Sequence, residues 1–179
     1  VRTIFEHVVP DRRSQPEHFW SVIASAFFGC RLSELCQLNL STDLKHDGQR
    51  DIWYLSINED RDTDGVLRKE LKTGPSRRTI AIHPALIKHG FVEFLKKRRA
   101  TGANTRPFSA RWKPTYDKAQ GDRALPDWGA QVSNWGSRQL KKLVAKHGWK
   151  AEGESYGFYH SFRHTLTTRL YGKVELLYS

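Results

Sequence analysis

Apolar positions in residues 14–38, SQPEHFWSVIASAFFGCRLSELCQL, recur with a helical period until Gly29 interrupts them. Phe19, Val22, Ile23, Ala26 and Phe27 fall at i, i+3, i+4, i+7 and i+8, which predicts a buried helix ending near Phe28. Ser14 is a candidate cap, Pro16 stands just inside the start and Glu17 lies in the first turn. After Gly29, RLSELCQL predicts a second short helix with Leu32, Leu35 and Leu38 inward. The period then changes. DIWYLSINED alternates and is rich in β-formers, RDTDG is a turn, VLRKELK reads as a second strand, TGPS turns again and RRTIAIH alternates as a third strand. The expectation is an antiparallel meander of three strands. HPALIKHGFVEFLKKRRATG predicts a short helix, a break at Gly90 and a basic helix closed by Gly102. Residues 103–130 read as loop. SNWGSRQLKKLVAKHGW predicts an amphipathic helix with its basic residues on one side, and YHSFRHTL opens a last helix after a polar linker. Residues 1–14 are polar, basic and expected to be extended, and no internal repeat or low-complexity tract is found.

These elements predict an α+β, mainly α fold with a small three-stranded antiparallel sheet, as one domain over 1–179. Hydrophobic residues at 38% and aromatics at 12% of 179 residues supply a core, which excludes global disorder. The 30 Lys and Arg against 19 acids leave a charge of +11. That excess points to a polyanionic partner, most often nucleic acid, with a basic protein bearing a solvated surface as the other reading. Cys30 and Cys36 lie six apart in an apolar stretch, without metal-ligand spacing, and read as reduced core residues of a cytosolic protein. No apolar run is long enough for a membrane span and no signal peptide opens the chain, so no membrane is expected. The chain begins at Val1 and contains no Met, which reads as a fragment.

The candidate chemistry lies in three short stretches. Arg31 follows Gly29 at a helix junction with Glu34 three residues on. It is either a surface Arg paired with Glu34, or a guanidinium at a helix start, steadied by Glu34, that binds phosphate in bidentate fashion. Lys72, in LKTGPSRRTIAIHP, is either an edge-strand Lys or an ammonium held over a cleft to protonate a leaving oxygen. His160 and Arg163 share a helix face, and His164 follows His160 at i+4. Two His at that spacing suit zinc. However, HSFRH carries Phe where the helical metalloprotease motif has its general base, and Arg163 would set a positive charge beside the cation. An anionic phosphate needs the reverse, several cations converging on one point.

In this order and spacing, GCRLSELCQL, LKTGPSRRTIAIHP and HSFRHT together resemble the catalytic domain of the tyrosine recombinases, the phage integrase family, from about Phe19 to about Thr165. The resemblance implies a mainly helical catalytic domain that cuts and rejoins double-stranded DNA without metal or other cofactor, through a 3′-phosphotyrosine. It gives Arg31 and Arg163 the oxygens of the scissile phosphate, His160 a part in proton transfer, Lys72 the proton for the departing 5′ oxygen, and His164 the support of Arg163. It implies a tetramer on two duplexes, with the fragment alone compatible with a monomer, and an N-terminal DNA-binding domain beyond this chain. The setting would be cytoplasmic and nucleoid-associated, in a bacterium, phage or other mobile element. Relaxation of DNA in the manner of a type IB topoisomerase shares the same residue set, and a DNA-binding remnant that no longer cuts is the third reading.

The end of the chain departs from the pattern. The family places a His or Trp about two dozen residues after the second Arg and its nucleophilic Tyr about nine residues later, whereas sixteen residues follow Arg163 here. In one reading the chain is contiguous, and HTLTTRLYG is the helix after Arg163. In the other, residues are missing inside this stretch, and TTRLYGK is the nucleophile segment, with Tyr171 the attacking residue. Tyr178 is expected to be a packing aromatic.

Overall fold

The computed structural model describes residues 6, 14–71, 76–148 and 157–178, with the backbone alone for 122, 123 and 170–178. Its elements are α1 (Pro16–Phe28), α2 (Leu32–Cys36), β1 (Leu44–Asp47), β2 (Ile52–Ile57), β3 (Arg78–Ala81), α3 (Pro84–Lys88), α4 (Phe91–Arg99), a 3-10 segment (Lys118–Arg123), α5 (Ala130–His147) and α6 (Phe158–Tyr178). The α+β class is thus as expected. The chain divides into two compact units, the first joining Val1–Leu32 to Val132–Ser179 and the second formed by Ser33–Gln131. Among the described residues no helix is long and apolar enough to cross a membrane.

In the first unit, Pro16 at the start and Gly29 just past the end delimit α1 as expected. The N-cap, however, is Gln15 rather than Ser14, and its side chain makes no capping bond. The buried face also differs. Phe19, Ile23 and Ala26 are only half-buried and Phe27 is 42% exposed, whereas His18, Trp20, Ser21, Val22, Ala24 and Ser25 are buried. The reason is the bulk of the facing helix. α6 brings Phe158, Tyr159 and Phe162 to the core, so α1 must meet it with small side chains. Gly136 of α5 obeys the same constraint: a Cβ there would lie 2.6 Å from a Tyr159 ring carbon and 2.8 Å from one of Phe158. His18 and Phe158 both set ring edges against Trp135, at 4.7 and 6.0 Å between centroids.

The second unit holds the sheet, ordered β1-β2-β3 and antiparallel throughout. Leu44, Leu55 and Ile80 stand in register across it, and Leu55 and Ile57 are buried. Leu86, Phe91, Val92, Leu95, Phe108 and Trp112 complete this core. The meander is present, but its membership is corrected. VLRKELK is not a strand among its described residues, 66–71. The first strand is instead Leu44–Asp47, whose sequence LKHD has no apolar alternation to announce it. The segment before position 72 satisfies its polar groups in another way. The Gln37 side-chain amide donates to the Glu70 carbonyl at 2.9 Å and accepts from the Glu70 N–H at 3.1 Å, standing in for a neighbouring strand. Lys69 points inward, 1% exposed, and its ammonium donates to both Asp43 oxygens and to Asn58.

Smaller differences follow from local capping. α4 ends at Arg99 rather than near Gly102, with Thr101 donating to the Arg98 carbonyl. α5 begins three residues earlier than expected because the Asp127 carboxylate accepts from the N–H groups of Gly129 and Ala130. Residues 1–5, 7–13, Lys72 and most of the TGPS turn lie outside the described residues, so neither the extended N-terminal segment nor the strand end at Lys72 is described.

Asp62 anchors the excursion between β2 and β3. Its fully buried carboxylate accepts from Arg106 at 2.7 Å, Arg68 at 3.1 Å and Asn39 at 2.9 Å. Burial pushes its carboxyl up, but the Arg106, Asn39 and Arg68 donors outweigh burial and hold it below the ordinary carboxylate value. The stabilisation is therefore complete above the unfolded-state value of about 4 and is lost as pH falls through the lowered folded value. Asp62→Asn is expected to cost about 3–5 kcal/mol at neutral pH by leaving Arg106 uncompensated. In urea unfolding across pH, the gap between wild type and Asp62→Asn should narrow below about pH 4; a gap of constant size from neutral to acid pH would refute the assignment.

Candidate active site

The first unit brings the stretch GCR together with the stretch HSFRHT. α1 stops because Gly29 adopts a left-handed backbone, φ +56°, with its N–H bonded to the Ser25 carbonyl. The turn exposes the Gly29 carbonyl, and one Arg163 guanidinium N–H donates to it at 2.8 Å. Arg163, half-buried, is thereby fixed two residues from Arg31, itself half-buried at the junction of α1 and α2. The approach is close enough to exclude a side chain at 29: a Cβ would sit 2.4 Å from a Leu166 methyl.

On α6 the positions sort by helical angle. Phe158, Tyr159 and Phe162 form the buried face, and Arg163 sits at its border. His160 and His164 face outward, their rings 5.5 Å apart between centroids and tilted by 57°. Thr165 and Thr167 bond back to carbonyls of the preceding turn, so their hydroxyl protons are committed locally. Beside the outward face lies a cavity of about 390 Å³ lined by Ser161, His164, Thr165, Thr168 and Arg169.

The expected residues fare differently. Arg31, His160, Arg163 and His164 all belong to the first unit. The Glu34 carboxylate, expected to steady Arg31, is buried and ion-paired with Arg78 at 2.6 Å. Lys72 lies outside the described residues. Tyr171 lies on α6, which runs unbroken from Phe158 to Tyr178. The continuous helix is the form that the contiguous reading expects for HTLTTRLYG. By register Tyr171 is one heptad beyond His164, on the stripe that carries His160 and His164, and about 12 Å along the axis from Arg163.

Sequence reasoning missed two contributors to this arrangement. Gly29 reads as a helix breaker, yet it also permits the contact with Leu166. Ser21, Ala24, Ser25 and Gly29 form a stripe of small residues, and their i, i+3, i+4, i+8 spacing was the available signal. A cavity of about 400 Å³ in the second unit is lined by Gln37, Glu70, Asp117, Asp127 and Trp128, among others. Asp117 and Asp127 already accept from nearby backbone N–H groups, which gives both a structural role. Among the described residues no group of three His, Cys, Asp or Glu is placed to hold a metal ion.

Compared with known proteins, the chain matches no family model, no curated protein and no solved structure.

Gly29→Ala should lose about 1–2 kcal/mol to the left-handed backbone and about 1–3 kcal/mol more to overpacking against Leu166. In a Leu166→Ala background only the backbone part should remain. Equilibrium unfolding of the four proteins checks this; equal losses in both backgrounds would remove Leu166 from the account.

Proposed function

We propose that this chain is the catalytic part of a tyrosine-type site-specific DNA recombinase, which cuts and rejoins strands through a 3′-phosphotyrosine. The observation that carries the reading is the bond from Arg163 to the Gly29 carbonyl, which joins the stretch around Arg31 to the stretch from His160 to His164. A phosphate under attack gains negative charge, and fixed cations stabilise that charge without reorganising at the moment of reaction. Arg31 and Arg163 take the non-bridging oxygens in this reading. His160 assists proton transfer, His164 supports Arg163 and Lys72 protonates the departing 5′ oxygen. Tyr171 is the nucleophile, and its covalent link to DNA conserves the bond energy for rejoining.

The first unit also carries a face suited to duplex DNA. α5 has no Asp or Glu in eighteen residues, and Arg138, Lys141, Lys142 and Lys146 are exposed at i, i+3, i+4 and i+8. These four take part in no ion pair among the described residues. Cations left unpaired on one stripe suit a run of phosphates.

One observation favours the rival reading of a DNA-binding remnant. The unbroken α6 makes Tyr171 a helix residue two turns past Arg163. A single assay separates the readings. Incubated without metal with a pool of mixed-sequence nicked duplexes, the protein is expected to become covalently attached to a 3′ end, in an adduct that survives a denaturing gel. Arg163→Ala should lower adduct formation by about 10²–10³-fold, as loss of a transition-state charge donor does, with duplex binding retained. Tyr171→Phe should abolish it. An adduct that persists in Tyr171→Phe moves the nucleophile elsewhere. Duplex binding with no adduct at all selects the remnant.

Binding itself should weaken steeply with salt. Each α5 cation that contacts a phosphate contributes about 0.9 to the slope of log affinity against log salt. Replacing all four by Ala should therefore flatten the slope by up to about 3.6, and a slope unchanged by the replacement would exclude α5 from the interface.

A further inference from the structure

We propose that Tyr159 and Ser21 are positioning residues for Arg163 and His160, a role that rests on the reading above. The two hydroxyls lie 2.9 Å apart in the buried contact between α1 and α6. The direction of the bond follows from proton counting. Ser21 has one hydroxyl proton, and it goes to the His18 carbonyl at 2.9 Å. Tyr159 is therefore the donor and Ser21 the acceptor.

This bond matters because it is a directional tie between α1 and α6 next to His160. α1 presents small side chains, Ser21, Ala24 and Ser25, with Gly29 beyond them, and α6 covers them with rings. Burial of rings holds two helices together strongly, but it is non-directional. Directional bonds that oppose rotation here include Tyr159 to Ser21 and, one turn on, Arg163 to the Gly29 carbonyl. The second uses the very guanidinium assigned to the phosphate, so that group cannot also be the sole reference for its own position. Tyr159 supplies the independent reference.

The lever is short and stiff. Tyr159 immediately precedes His160 and stands one turn before Arg163. A rotation of α6 by about 20° moves a side-chain atom some 5–6 Å from the axis by roughly 2 Å. Misplacement by about 1 Å can cost on the order of 10²-fold in rate. Loss of one oxygen at Tyr159 is thus expected to act on the chemistry through angle, while the ring keeps its contacts with Phe158 and Phe162.

The test uses the intact chain with Tyr159→Phe, Ser21→Ala and the double variant. Two readouts are followed. The first needs no DNA: the rate at which phenylglyoxal modifies Arg163, mapped by peptide mass spectrometry and referred to Arg138 on α5. An Arg163 held on the Gly29 carbonyl reacts slowly, and either single variant should raise its rate at least about threefold, with the double variant no higher than the singles because they break one bond. Unchanged Arg163 reactivity in both single variants overturns the proposal. The second readout is adduct formation on saturating mixed-sequence nicked duplexes, expected to fall at least about tenfold in either variant with duplex affinity unchanged. Raised reactivity with wild-type adduct formation overturns the link to chemistry. If wild type forms no adduct, the recombinase reading fails, and the phenylglyoxal result still decides whether Tyr159 sets Arg163.

Discussion

The first unit depends on a backbone oxygen. The Gly29 carbonyl is reached by Arg163 only because α1 ends in a left-handed turn and because nothing at position 29 intrudes on Leu166. Close approach is a demand on both partners. α1 meets it with Ser21, Ala24, Ser25 and Gly29, and α5 meets it with Gly136. The bulk then has to come from α6, whose Phe158, Tyr159 and Phe162 fill the space the small residues leave. Once those rings face inward, the 3.6-residue period turns His160 and His164 outward and puts Arg163 at the border. The exposure of the candidate site is thus set by the packing behind it.

The second unit solves a different problem. Between β2 and β3 the described residues, 58–71, 76 and 77, travel without a ladder to satisfy their backbone. Side chains replace the ladder: the Gln37 amide on Glu70, the Lys69 ammonium on Asp43 and Asn58, and the Asp62 carboxylate on Arg106 and Arg68. Buried ions are expensive to desolvate and are tolerated when they are paired and hydrogen-bonded in good geometry, as the Lys69 ammonium is on three acceptors, whereas the paired Arg106 keeps one buried Nε–H without a partner. Their benefit is direction. An apolar loop core could slide, whereas a fully bonded ammonium between a carboxylate and an amide defines one arrangement.

What the sequence made legible follows from what each signal measures. Gly29 and Pro16 act through backbone dihedrals, which are local, so the limits of α1 could be read directly. β2 and β3 alternate, and alternation reports one buried face. β1 could not be found this way, since Lys45, His46 and Asp47 carry no apolar alternation and the strand exists only through pairing with Tyr54, Trp53 and Ile52. The face of α1 was misread for a related reason. Counting large apolar side chains favours Phe19 and Phe27, but burial is decided by the partner helix, and that partner supplied its own rings. Lys69 shows the limit most clearly. Nothing in VLRKELK distinguishes the buried Lys from its neighbours until Asp43 and Asn58 come to it across the fold. Of the candidate site, the segment around Arg31 and the spacing of His160, Arg163 and His164 were legible, because helical register is local. The bond that joins them was not, because it runs between groups 134 residues apart.

Charge illustrates the same separation between composition and arrangement. A net +11 treats every Lys and Arg as equivalent, and the fold does not. In the second unit Arg68, Lys69, Arg78 and Arg106 are bonded to buried carboxylates and are spent on structure. On α5 Arg138, Lys141, Lys142 and Lys146 have no acid on their helix and no ion pair among the described residues. A cation already neutralised at about 3 Å offers little field to a ligand, since the pair's potential falls off as a dipole rather than as a charge. The excess that composition reports is carried by the cations that no carboxylate neutralises. Among the described helices α5 is the longest without an acid, and it shares a unit with Arg31, His160 and Arg163. That coincidence ties the basic surface to the candidate site by a physical argument, independent of the motifs.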